Sequence, residues 1–182
     1  MKFKEKAELI ILNFLKENKH KGFTVKEIGV FCFSRNIIGM DYYHNVTEFL
    51  RDLNDKDMVT WTYNGNVVKR RSVNSKVTGG TYQYLQGEGI DSSKGILELW
   101  KDETINYLDS HARHAWKITD LARELCGNVE FITSQTIVMR ELESQHRVQF
   151  YHRGTATVKG KQSLNGTWVS VKQNFFPSMN RR

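Results

Sequence analysis

The sequence predicts an α+β chain built from two copies of one small fold, each with three helices followed by a β-hairpin. Three observations predict it. First, the 182-residue chain aligns with itself: Asn13-Phe14-Leu15 falls on Asn106-Tyr107-Leu108, and Phe23, Val25, Glu27 and Ile28 fall on Trp116, Ile118, Asp120 and Leu121, an offset of 93. Further on the offset is 89: Leu50-Arg51-Asp52-Leu53 meets Met139-Arg140-Glu141-Leu142, Val59 meets Val148 and Trp61 meets Phe150. Second, helical spacing of apolar residues gives way to strand alternation within each copy. Third, a Gly- and Ser-rich linker at 87–93 separates the copies. A period of this length is too long for a solenoid unit and reads as a tandem of domains: 1–86, 94–174 and a basic tail at 175–182.

In the first copy, Ala7, Ile10, Ile11, Phe14 and Leu15 recur at helical spacing over 3–18. Leu9 and Leu12 add a second apolar edge, which suits either an interface or packing under the linker. Thr24 with Glu27 forms a capping box that opens a helix through Val25, Ile28, Phe31 and Cys32. A polar Ser34-Arg35-Asn36 stretch leads to a third helix over 41–54, with Val46, Leu50 and Leu53 inward. Residues 58–63 alternate as a strand, Asn64-Gly65 is a strong hairpin signal, and 67–73 returns. A glycine-containing tip at 74–80 precedes a closing strand at 82–85.

The second copy follows the same order. A long helix carries Ile96, Leu97, Leu99, Trp100, Ile105, Tyr107 and Leu108 on more than one face, and Leu97 and Trp100 are expected at an interface. Residues 117–125 form the next helix, broken by Gly127. The third helix covers 133–144, a strand starts at Val148, and a basic loop at 152–166 ends at Asn165-Gly166 before the final strand.

The run from Asn45 to Val59 carries a resemblance. Its small-apolar-Thr-x-x-Leu-x-x-Leu pattern, charged turn and apolar pair resemble the end of a winged helix-turn-helix domain, with Asp57 where that family commonly has Gly. The resemblance covers nearly the whole chain, twice. It implies a third helix that enters the DNA major groove while a hairpin wing touches backbone. On that reading the third helix of the first copy presents Tyr43, His44, Asn45, Thr47, Glu48 and Arg51 outward, with Lys69, Arg70, Arg71 and Lys76 on the wing. Asn and Arg pair bidentately with adenine and guanine edges, and Lys and Arg hold phosphates. The second copy offers Ser134, Gln135, Thr136 and Arg140 on its helix and Arg153, Lys159 and Lys161 on its loop. Ile137 falls where the first copy has Glu48.

Charge agrees with a polyanionic partner. The net charge is +7, with 14 Lys/Arg against 10 Asp/Glu in residues 1–90 and 13 against 10 in 91–182, so neither half is a bare cationic tail. Other classes fare worse. No apolar run approaches the length of a membrane span. Glu5 and Glu8 fall where a signal peptide needs its apolar region, so a cytoplasmic protein is expected, nucleoid-associated if it binds DNA. Cys32 and Cys126 read as buried thiols of a reducing compartment. There is no P-loop, dinucleotide fingerprint or nucleophile elbow. His111 and His114 form the only close histidine pair, with no ligand beside them, and read as a helix-end cap. The expectation is therefore a non-enzymatic transcriptional regulator of a microbe, phage or mobile element, binding double-stranded DNA without cofactor or metal, alone or as a homodimer. Two alternatives are a replication-initiator-like origin binder and a module docking on a host protein.

Overall fold

A computed structural model of the chain describes residues 1–33, 43–74, 77, 79–92, 94–111, 114–127, 131–157, 159 and 165–171. Lys76, Lys161, Ser34-Arg35-Asn36 and the 175–182 tail lie outside the described residues. Among those described are six α-helices and two three-stranded antiparallel sheets. The chain divides into two compact units, Met1–Leu99 and Trp100–Arg182.

In the first unit, α1 (Phe3–Glu17), α2 (Val25–Phe33) and α3 (Tyr43–Asp55) precede β1 (Val59–Tyr63), β2 (Asn66–Val67) and β3 (Thr81–Tyr84). The capping box starts α2 as its spacing demands: the Glu27 carboxylate accepts the Thr24 N–H at 2.8 Å, and the Thr24 hydroxyl accepts the Glu27 N–H at 3.3 Å. α1 buries Phe3, Ala7, Ile11, Leu12 and Leu15, α3 buries Val46, Phe49, Leu50 and Leu53, and β1 adds Val59 and Trp61. Phe31 departs from its expected inward place. It is 60% exposed and stacks on Phe14 at 5.0 Å. Leu12 is buried and faces Gly87, and the Leu9 carbonyl accepts the Ile90 N–H at 3.2 Å. Leu12 thus packs under the connecting stretch.

β1 is the central strand, flanked by β2 and β3. Asn64 and Gly65 both take positive φ, 49° and 78°, as a two-residue hairpin turn requires. A backbone bridge joins Phe23, between α1 and α2, to Tyr82 on β3, with N–H···O distances of 2.8 and 2.7 Å. β2 is shorter than the expected return at 67–73. The chain instead makes a tight 3-10 turn at Arg70–Ser72, because the buried Asn54 side chain accepts the Arg70 N–H at 2.7 Å and draws the backbone inward.

The second unit repeats this plan. α4 (Ile96–Ser110), whose first residues precede Trp100, is followed by α5 (Ile118–Cys126), α6 (Ile132–Ser144), β4 (Val148–His152), β5 (Thr155–Thr157) and β6 (Thr167–Ser170). β4 is central, and Trp116 bridges Trp168 as Phe23 bridges Tyr82. The offset of 89 holds down to single bonds. Met58 N–H donates to the Leu53 carbonyl at 2.9 Å, and Arg147 N–H to that of Leu142 at 2.9 Å. The Thr47 and Thr136 hydroxyls each donate to the carbonyl four residues back at 2.8 Å. Asp57 and His146 share a left-handed φ, 56° and 55°. A side chain on Gly166 would run into the Tyr151 carbonyl and the Phe150 ring, and one on Gly80 into Trp61. Both positions admit only glycine because the third strand arrives flush on the central one.

Among the described residues no helix is long and apolar enough to cross a membrane. Both cysteines are buried free thiols, and burial pushes that of Cys32 up to about 12.

Candidate nucleic-acid interface

The outer flank of α3 and the hairpin beside it gather most of the first unit's expected contacts. His44 is exposed, and Tyr43, Thr47, Glu48 and Arg51 are half-buried. Asn45 is not outward. It is 1% exposed, one turn from Phe49 on the buried face, because a residue four before a core position shares its face.

The cations here are already occupied. Arg51 Nη1 is held by Glu48. Arg71 donates from Nη2 to Asp52 at 2.7 Å and from Nε to Asp55. Lys69 donates to Asp57 at 2.6 Å and to the Asn54 carbonyl at 2.8 Å. Lys4 of α1 also binds Asp52, and Lys56 reaches the buried Glu8 at 2.5 Å. Burial raises the Asp52 pKa, but its bonds to Lys4 and Arg71 outweigh that and hold it below the usual aspartate value. For Glu8 burial wins over Lys56 and Lys4, and its pKa is raised.

Arg70 is a correction to the expected wing contact. It is 3% exposed, its guanidinium lies 4.7 Å from the Trp61 ring centre, and it donates to the Val77 carbonyl at 2.7 Å. It packs the hairpin onto the sheet. The Tyr82 hydroxyl is buried beside it without a well-aligned hydrogen bond. Burial pushes that phenol up to about 12, with Arg70 and Arg51 pulling the other way. Between helix and hairpin, Arg51, Arg71, Ser72, Val73 and Asn74 line a cleft of about 470 Å³.

In the second unit two expected base readers are buried. Ser134 is 2% and Gln135 0% exposed. Gln135 accepts from Trp100 Nε1 at 2.7 Å and donates to the Thr104 hydroxyl at 3.1 Å, a core network whose partners lie on α4. Trp100 is 0% exposed and also meets the Phe131 ring edge-on at 6.2 Å, so it serves this unit's own core. Leu97 is likewise buried. Thr136 is half-buried, its hydroxyl spent on α6.

Lys159 stands where Arg70 stands in the first unit. Its backbone N–H donates to the Glu143 carboxylate at 2.9 Å, as that of Arg70 does to Asn54, and its ammonium lies 4.8 Å from the Phe150 ring centre. Burial, then the neighbouring Arg140 charge, hold its pKa below the usual lysine value, with Glu143 acting in the opposite sense. Lys159 also lines a cleft of about 440 Å³ with Lys117, Thr119, Thr167 and the Phe150 and Trp168 rings. Arg153 is exposed at the hairpin tip, where it takes a φ of 50° before Gly154.

Sequence reasoning missed Asn54, Glu143, Lys117 and Arg147. Asn54 and Glu143 do coincide at the offset of 89, and that was the signal available for them. His111 fits the helix-end reading, with Nδ1 2.8 Å from the Tyr107 carbonyl and its ring stacked on Tyr107 at 4.2 Å. Among the described residues no group of three or more His, Cys, Asp or Glu gathers to hold a metal ion. The chain matches no family model, no curated protein and no solved structure.

Proposed function

We propose that the chain is a tandem winged helix-turn-helix protein that binds double-stranded DNA with sequence preference and acts as a transcriptional regulator. The observation that carries this reading is the twice-repeated arrangement itself. Three helices are followed by an antiparallel hairpin, the connection between the first two helices bridges the third strand, and the hairpin lies beside the third helix. That geometry suits a helix in the major groove with a hairpin on flanking backbone, and the +7 charge suits a polyanion.

Selection from a random duplex library, followed by titration of the winner and a scrambled duplex across a salt series, tests it. A recovered motif should bind roughly a thousand-fold more tightly than the scramble, and affinity should fall steeply with salt as counterions are released. Failure to enrich a motif, with weak binding that salt erases, would reject sequence-specific reading and leave protein docking as the better account.

A further inference from the structure

We infer that the two units divide the work, and that the phosphate-binding face is that of the second unit, centred on Arg140, Lys159 and Arg153. This rests on the duplex reading above and assigns the anion contacts within it. At positions 89 apart the backbone and its bonding match while the side chains differ.

Arg51 and Arg140 occupy the same place on the third helix, and each has a shielded Nε with no hydrogen-bond partner. In the first unit Glu48 holds Arg51, and Asp52 and Asp55 hold Arg71. In the second unit Ile137 replaces Glu48, Ser144 replaces Asp55, and Glu141, which replaces Asp52, lies 3.4 Å from the buried Lys101. Arg140 therefore lacks the carboxylate that holds its counterpart, and its charge adds to burial in holding the Lys159 pKa down. Glu143 pulls the other way on Lys159. An arginine left without an acidic partner among the described residues gains most from a ligand that brings negative charge.

The hairpin tip makes the same point independently. The first turn residue needs left-handed backbone, which Asn64 suits and Arg153 does not. An arginine held there, exposed, puts a cation at the furthest reach of the hairpin at a backbone cost that asparagine would avoid. From Phe150, under Lys159, to Arg153 is three strand residues, roughly 10 Å. A duplex carries about one charge per 1.7 Å of axis, so a ridge of that length meets several phosphates. His146 and Arg147, exposed at the α6–β4 turn, stand where the first unit has Asp57 and Met58.

The test compares full-length variants in titrations of a fluorescent 20-base-pair duplex across a salt series, each variant checked by thermal melting. Arg140→Gln with Arg153→Asn should weaken duplex binding by about ten-fold or more and lower the salt slope by about two. Arg153→Asn alone should melt no lower than the wild type, which separates lost contact from lost fold. Arg71→Ala should bind within about two-fold of the wild type. Wild-type binding that survives the Arg140/Arg153 changes but collapses in Arg71→Ala would overturn the assignment and leave the duplex reading standing. A wild type that ignores duplex even at low salt would overturn both.

Discussion

Arg70 shows how a single residue type misleads when only its charge is read. Three consecutive cations on a returning strand look like phosphate ligands, yet the middle one is folded over Trp61 and bonded to the Val77 carbonyl. Arg70→Ala is expected to cost about 2 kcal/mol of stability, from the lost cation–π contact and buried hydrogen bond. Urea unfolding would show it, while duplex affinity stays within about two-fold. A variant of normal stability and reduced affinity would mean that the guanidinium faces ligand after all. The same lesson applies to Gln135, whose partners Trp100 and Thr104 lie on α4, more than 30 positions back. Polar character predicts outward placement only until a distant segment supplies buried partners. Asn45 was more legible, since it shares a helix face with Phe49.

At the scale of elements, helical spacing and the Thr24–Glu27 and Asn64-Gly65 signatures fix the order of helices and the first hairpin. The local pattern does not contain the early end of β2, because the capture of the Arg70 N–H by Asn54 acts across 16 positions. The second hairpin turn was also hidden, since arginine is a poor signal for left-handed backbone. The packing of α1 on α3 has a pH signature. Lys4 and Arg71 hold the Asp52 pKa below its ordinary value of 3.8 in the folded state. The unfolded chain then binds the proton more readily, so Asp52 contributes stability above about pH 4 that is lost as the pH falls through its lower folded value. Asp52→Asn should therefore lower the melting temperature at neutral pH and flatten its decline between about pH 4 and 2. Glu8, raised by burial, works in the opposite sense, costing stability as the pH rises past the ordinary glutamate value of 4.5. An unchanged acid limb in the Asp52 variant would show that the ion pair is spent on solvent.

Across the whole molecule, one backbone plan is held by different residue sets: Trp61, Asn54 and Arg70 in one unit, Phe150, Glu143 and Lys159 in the other. The third strand of each unit joins late, after a long excursion, and docks on a central strand of the same register. During folding, each third strand therefore meets two acceptors of nearly identical shape, and tandem domains are prone to such misassembly. The facing pairs are Trp61 with Tyr82 and Phe150 with Trp168. Exchanged strands would set two indoles together in one unit and leave two smaller rings in the other, overfilling one core and hollowing the other. Making Tyr82→Trp and Trp168→Tyr together reverses that bias, and refolding by dilution from urea should then give more aggregate and entangled dimer at equal concentration. On this account the size mismatch between the two aromatic pairs disfavours the wrong sibling strand by volume.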